Sequence, residues 1–233
     1  MCFSAGASFG AVIFLSITGV AAVKKTTHAS QILFACIPFI FAIQQFSEGI
    51  LWLSLPHTSQ VGIQKFFTYL FLFFAEPGWP LCISISILVL EKKPERRNIA
   101  WLFVLLAMVD AAYSLFCLMH YAVHAEIDSH HILYVQNFPN QFRTISIILY
   151  VMATLIPPFF SHIKYMYILG ITMAVSYIVS AILYEQYVLS VWCFFASMLS
   201  VAVYFILSKI PEVPFHLPNI SKRSALVETT PDR

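Results

Sequence analysis

Residues 31–53 read QILFACIPFIFAIQQFSEGILWL, an apolar run that carries one carboxylate, Glu48, near its far end. A helix of this length can cross a hydrocarbon layer of about 30 Å. The whole chain shares this character, because 60% of its 233 residues are hydrophobic and 10% are charged. Soluble domains carry about 25% charged residues. The sequence therefore predicts an integral membrane protein.

Seven apolar runs are long enough to span a bilayer. In lipid the backbone must satisfy its own hydrogen bonds, and runs this long and continuous do not suit the short alternating strands of a membrane barrel. The predicted fold class is therefore all-α, a polytopic protein with a single seven-helix transmembrane domain over 1–207 and a flexible cytoplasmic tail over 208–233. The predicted spans are roughly 5–23, 32–54, 66–90, 99–121, 144–160, 166–184 and 187–207.

The basic residues predict the orientation. Of the 13 Lys and Arg residues, only Lys65 and Arg143 fall on one side of the predicted membrane, and the others fall on the opposite side or in the tail. The positive-inside rule then places the amino terminus outside and the carboxyl terminus in the cytoplasm. The net charge of +2 is too small to indicate nucleic acid as a partner.

Three carboxylates fall inside predicted spans, namely Glu48, Glu76 and Asp110. An acidic residue at mid-depth costs about 2.5 to 3.5 kcal/mol on the insertion scale, so intramembrane carboxylates usually mark function. With the predicted orientation all three lie in the outer half of the bundle. Span three is also interrupted by EPGWP, residues 76–80. This motif predicts either a simple kink or a pocket wall lined by Glu76 and Trp79.

Glu48 shares a broad helical face with Gln44, Gln45 and Trp52. One interpretation is an outward-facing polar pocket that binds a ligand. The other is a structural polar clamp that joins this face to the neighbouring spans. The remaining residues that we predict around the pocket rim are Ser4, Cys193, Trp192 and Cys2, whose amine would lie beside its thiol if Met1 were removed.

A metal site is a further hypothesis. One predicted face of span four, which should look into the bundle, carries Asp110, Ser114, Cys117, Tyr121 and His124. His120 and His124 have the i, i+4 spacing at which two imidazoles can reach one zinc ion. The alternative is a solvated pair at the membrane boundary. The outer loop after this span contains His131 and either caps the pocket, lending a ligand group, or is simply solvated.

Several motifs in order resemble one family. They are the opening MCFSAGASFG, IPFIFAIQQFSEGILWL, PGWP, HHILY, FFSHIKY and LSVWCFFASMLS. Together they resemble a family of bacterial multi-pass membrane proteins of unknown function whose members begin with MCFSA. The resemblance covers residues 1 to about 207 and implies the bacterial inner (plasma) membrane as the location. The matching positions are Cys2, Phe3, Ser4, Gln44, Gln45, Glu48, Gly49, Trp52, Trp79, Pro80, His131, Tyr134, Ser161, His162, Trp192 and Cys193.

The sequence leaves three functions open. The first is a binding or sensing protein whose outer pocket holds a small molecule, a lipid head group or a cation. The second is a metal-dependent hydrolase of lipids, similar to the ceramidase and adiponectin-receptor group, whose zinc is held by His with Asp and Ser. That group carries its HxxxH in a late helix, whereas predicted span seven has no histidine. The third is a proton-coupled transporter in which Glu48 titrates.

Overall fold

The computed structural model describes residues 4–183 and 185–210, without the side chains at positions 185, 193, 194, 196 and 197. Cys2, the side chain of Cys193 and nearly all of the predicted tail over 208–233 therefore lie outside the described residues. The expectations that concern them stay predictions.

Six helical stretches are long and apolar enough to cross a membrane, and they coincide with the first six predicted spans. They are α1 (Ala5–Lys24); Ala29–Ser54, made of a 3-10 turn, α2 (Ile32–Ala35) and α3 (Ile37–Ser54); Thr58–Leu90, made of a 3-10 turn, α4 (Val61–Phe73), a π turn (Phe74–Gly78) and α5 (Trp79–Leu90); α6 (Pro94–His120); Asn140–Phe160, which holds α7 (Asn140–Thr154) and α8 (Pro157–Phe160); and α9 (Met166–Leu183).

The seventh predicted span corresponds to two shorter helices. After a 3-10 turn, α10 (Val188–Phe194) is followed by α11 (Ala196–Lys209), and the helix is divided at Phe195. The count of seven spans and the orientation stay predictions. Long apolar side chains point outward from the spans, for example Ile182, which is 74% exposed, and Met119, which is 66% exposed. Such a surface is suited to lipid contact, so the chain is an integral membrane protein.

The loop after α6 folds into a β-hairpin, which the sequence analysis did not predict. Strand β1 (Val123–Asp128) pairs antiparallel with β2 (His131–Gln136). Ile132 is fully buried, and the Tyr134 ring stacks on Phe71 of α4 with centroids 4.4 Å apart. The hairpin is thus packed against the helices and is not a free loop. We call the end of the bundle that carries it the hairpin end, and the opposite end the Glu91 end.

The EPGWP motif produces a local change of helix type. In the π turn the Trp79 N–H bonds to the Phe74 carbonyl, five residues back. The Ala75 carbonyl would receive this N–H in an α-helix; here it accepts a 2.9 Å hydrogen bond from the Tyr150 hydroxyl of α7. The freed backbone group is therefore satisfied inside the protein, as the hydrocarbon environment requires.

Close helix packing holds the bundle together. α1 lies along α3, where the ring of Phe9 covers Gly49, and an added Cβ there would be 2.8 Å from the ring. α5 packs on α6 and α7, and Ser84 donates a 2.7 Å hydrogen bond to the Ala153 carbonyl. Small residues at such contacts let membrane helices approach closely.

Candidate functional site

Gln44 and Trp79 form a buried hydrogen-bonded clamp between α3 and the π turn. The indole Nε1 of Trp79 donates to Gln44 Oε1 at 2.8 Å, and Gln44 Nε2 donates to the Phe71 carbonyl at 3.4 Å. The Trp79 ring also stacks on Phe41 with centroids 4.0 Å apart. Gln44 is fully buried and Trp79 is 5% exposed. These contacts fix the junction of α3, α4 and α5.

Glu48 is fully buried one turn further along α3. Gln45 Nε2 donates to Glu48 Oε2 at 3.3 Å, so the predicted face does bring the amide and the carboxylate together. Trp52, the next member of that face, is half-buried, and its buried Nε1 meets no acceptor among the residues that the structure describes. Ser4 lies apart from them, because it is exposed and caps the start of α1 by accepting from Ala7 N.

A small cavity lies beside Trp79. Its volume is about 20 Å³, close to the minimum for one water molecule, and its walls include Phe41, Thr154 and Trp192. The walls are almost entirely apolar, and the Trp192 Nε1 donates instead to Ser176 Oγ at 3.1 Å. Glu48, Gln44 and Glu76 do not line this cavity. Of the residues predicted for the pocket, Trp79 and Trp192 therefore line this cavity, whereas Gln44, Glu48 and Glu76 do not.

Glu76 lies in the π turn beneath the hairpin. The Gln136 side-chain amide, at the end of β2, donates to Glu76 Oε1. The second oxygen, Oε2, is buried and has no hydrogen-bond partner within the described part of the chain. The hairpin is thus linked directly to an intramembrane carboxylate.

Asp110 repeats this arrangement on α6. It is fully buried, and Ser146 Oγ of α7 donates to its Oδ1 at 2.9 Å. Its Oδ2 is buried and, among the residues described, finds no hydrogen-bond partner. The predicted inward face of α6 is also buried at Ser114 and Cys117, but it does not continue to Tyr121 and His124, which lie beyond the end of the helix.

Helix α7 places the two carboxylates near each other. Ser146 contacts Asp110, and Tyr150, one turn later, contacts the carbonyl of Ala75, the neighbour of Glu76. One turn of helix rises about 5.4 Å. α6 also packs directly against the π turn. Glu76 and Asp110 therefore lie beside neighbouring turns of α7, and we call these two residues the carboxylate pair.

The pair has no basic partner within the described ranges. The ion pair found there joins other residues, Glu91 and His162. The partners of Glu76 and Asp110 are a neutral amide and a neutral hydroxyl. Two neighbouring negative charges without a counter-charge are very unfavourable in a low-dielectric interior. Positive charge, as a proton or as a cation, would stabilise such a pair.

The predicted His120 and His124 pair does not share a helix. α6 ends at His120, whose Nδ1 lies 2.9 Å from the Phe116 carbonyl, and Tyr121 adopts an extended backbone that leads into β1. His124 is an exposed residue of β1. The helical i, i+4 spacing on which the hypothesis rested was wrong. No group of three or more His, Cys, Asp or Glu side chains suited to hold a metal ion is found among the described residues.

His131 lies at the tip of the hairpin, next to the connection between α9 and α10. Its ring stacks on Tyr187 with centroids 4.6 Å apart, and the Tyr187 hydroxyl donates to Asp128 Oδ2 at 2.5 Å. Burial lowers the pKa of the His131 imidazole, and His130 lowers it further, whereas Asp128 acts in the opposite direction. The hydrogen bond to Asp128 raises the pKa of Tyr187. These contacts fasten the hairpin tip to the bundle.

A further polar cluster closes the Glu91 end. Glu91, 4% exposed, forms an ion pair with His162 Nδ1. It also accepts hydrogen bonds from the backbone N–H of Lys93 at 3.2 Å, from His162 N at 3.2 Å and from Ser161 Oγ at 3.4 Å. This cluster joins the loop after α5 to the loop before α9, so we interpret it as a structural latch.

Sequence reasoning missed several of these residues. Ser146 and Tyr150 share one face of predicted span five, so their i, i+4 spacing was an available signal. Gln136 lay in a predicted loop and carried no such signal. Glu91 falls one residue beyond the predicted end of span three and was not counted among the buried carboxylates.

Comparisons with known proteins identify a family for the chain but no activity. A family of unknown function, DUF6629, matches residues 1–214, which include every predicted span. No curated protein and no solved structure matches the chain.

Proposed function

The chain belongs to the family of unknown function DUF6629. Because that family membership names no activity, we infer the function from the geometry, and we propose that the protein binds a cation between the carboxylates of Glu76 and Asp110. This proposal narrows the predicted ligands of the outer pocket to one class. It moves the binding centre from Glu48 to the carboxylate pair. The role is binding or sensing, with the bilayer as the protein's environment.

One observation carries the proposal. Each carboxylate of the pair has one oxygen held by a neutral donor and a second oxygen that is buried without a partner in the described part of the structure. The hydrogen-bonded oxygens fix the orientation of the two groups. The second oxygens are left as acceptors, and carboxylate oxygens are the ligands that hard cations prefer. Protein oxygen atoms also replace lost hydration inside membrane sites.

The hairpin contacts the proposed site on one side. Gln136 bonds to Glu76 from the base of the hairpin, and Asp128 holds the hairpin tip through Tyr187. A cation that approaches from the hairpin end would meet Gln136 first. Cation binding at Glu76 would therefore alter the hydrogen bond to Gln136 and change the position of the hairpin. A sensor needs a surface that changes in this way when its ligand binds.

Thermal unfolding in dodecyl maltoside tests the proposal. The purified protein is titrated with Na⁺, K⁺ or Ca²⁺ at constant pH, with N-methylglucamine keeping the ionic strength equal. At a cation concentration one hundred times Kd, binding adds about 2.7 kcal/mol, which raises Tm by about 5 to 10 °C for a chain of this size. Glu76→Gln and Asp110→Asn should abolish the rise while keeping the oxygen that accepts from Gln136 or Ser146.

A matched control separates the pair from surface charge. Glu126 is an exposed carboxylate of β1, so Glu126→Gln should leave the cation effect unchanged. If no cation raises Tm, or if Glu76→Gln responds as the wild type does, the proposal fails. A Tm that depends on pH but on no cation would indicate that the pair holds a proton, and it would also contradict the proposal.

The zinc-dependent hydrolase stays a hypothesis with less support. His131 stacks on Tyr187, and His120 and His124 lie on different elements. Metal content of the purified protein, measured in the wild type and in His131→Ala, would decide it.

A further inference from the structure

A groove opens between α4 and α6 at the hairpin end of the bundle. Its volume is about 520 Å³, which lies in the range of small-molecule sites, about 300 to 1,000 Å³. The walls are apolar and aromatic, and one charged side chain stands at the rim. The main lining residues are Lys65, Phe66, Tyr69 and Phe73 of α4, with Leu115 and Met119 of α6.

The π turn accounts for the groove. α6 packs closely against the π turn but makes few contacts with α4. Pro77 lies inside the turn, and bends in helices occur at prolines and π turns. α4 therefore departs from α6 above Phe73, toward the hairpin end. Glu76 and Trp79, which the sequence analysis placed in a possible pocket wall, do not line this groove.

The chemistry of the groove selects its occupant. Phe66 is 60% exposed and Met119 is 66% exposed, so the groove faces the surroundings of the bundle, which are lipid tails. Lys65 lies two turns from the start of the Thr58–Leu90 stretch, and its Nζ is 6.0 Å from the centre of the Tyr69 ring. A lysine at this depth extends its ammonium group to the level of the lipid head groups.

We propose that this groove is a binding site for one phospholipid with an anionic head group. The acyl chain lies between α4 and α6, and the phosphate group pairs with Lys65. The charge of Lys65 determines the selectivity for an anionic head group, because the other residues that line the groove are uncharged. Arg143 is the second cation that the sequence places on this side of the membrane, and it does not line the groove. This site is separate from the carboxylate pair.

Native mass spectrometry of the full chain tests the site. The protein is released from detergent after incubation with equal amounts of phosphatidylglycerol and phosphatidylcholine that carry the same acyl chains. The wild type should retain phosphatidylglycerol in preference. Lys65→Gln should reduce that preference about fivefold, since one lysine near a membrane surface contributes about 1 kcal/mol of attraction to anionic lipid. Arg143→Gln should leave the preference unchanged.

A second variant tests the groove apart from the charge. Leu115 is 39% exposed in the groove wall, so Leu115→Trp should fill the space and lower retention of both lipids. Equal retention of the two lipids by the wild type would overturn the proposal. So would a loss of preference in Arg143→Gln but not in Lys65→Gln. A dimer that Leu115→Trp dissociates would also overturn it, because a second copy would then occupy the groove.

Discussion

Breaking the clamp between Gln44 and Trp79 should lower the free energy of unfolding, and the hydrogen bonds that are lost determine by how much. Gln44→Leu removes the 2.8 Å bond from the indole and the longer 3.4 Å bond to the Phe71 carbonyl. It also leaves the Trp79 N–H buried without an acceptor. An orphaned buried donor costs about 1 to 3 kcal/mol, and polar contacts between membrane helices average about 0.6 kcal/mol with a maximum near 1.7. We therefore expect a loss of about 1 to 2 kcal/mol.

A double-mutant cycle isolates this contact. Gln44→Leu, Trp79→Phe and the double variant are unfolded by SDS in dodecyl maltoside, and free energies of unfolding are compared. Trp79→Phe keeps a ring to stack on Phe41 but lacks the N–H, so the coupling energy should be about 1 kcal/mol. Trp52→Phe is the matched control, because its Nε1 has no acceptor among the described residues and should not couple to Gln44. Additive effects at Gln44 and Trp79 would refute the clamp.

Three other predictions concern packing and the two ends of the bundle. Gly49→Ala should destabilise by about 1 to 3 kcal/mol in the same assay, because the new Cβ would lie 2.8 Å from the Phe9 ring. Gly10→Ala, where a Cβ meets open space, should be neutral or stabilising, and equal effects would contradict the packing of α1 on α3. Tyr187→Phe should speed amide hydrogen exchange in β1 and β2 without changing exchange in α5, since it releases Asp128 at the hairpin tip; unchanged hairpin exchange would count against this anchor. Glu91→Ala should lower Tm more than His162→Ala, because it also removes the acceptor for Lys93 N and Ser161 Oγ, and the reverse order would rule out the latch.

Length and hydropathy alone were sufficient to locate six spans. Each of these stretches is long and apolar enough to cross the hydrocarbon layer, and α-helix is the available structure for such a run in lipid. The periodic spacing of Asp110, Ser114 and Cys117 also identified the buried face of α6 correctly. Local pattern is informative here because a bilayer leaves the backbone few alternatives.

Contacts between distant residues could not be predicted in this way. Gln44 and Trp79 are 35 positions apart, and Glu76 and Gln136 are 60 apart. The sequence around one residue of each pair contains no signal that identifies its partner. The helical spacing assumed for His120 and His124 was wrong for a related reason, because the chain leaves the helix at His120 to enter the hairpin. The hairpin did carry a weak signal, since residues 132–135, ILYV, form a short apolar run rich in branched and aromatic side chains, which is consistent with a strand.

Infrared difference spectroscopy reports on the carboxylates of Glu76 and Asp110. The wild type is held at constant pH while N-methylglucamine is exchanged for the cation that raises Tm most. We predict a change in the carboxylate stretching bands that is absent from both Glu76→Gln and Asp110→Asn and preserved in Glu126→Gln. A spectrum that does not change on cation exchange, or a change that survives in Glu76→Gln, would contradict a cation site at Glu76 and Asp110.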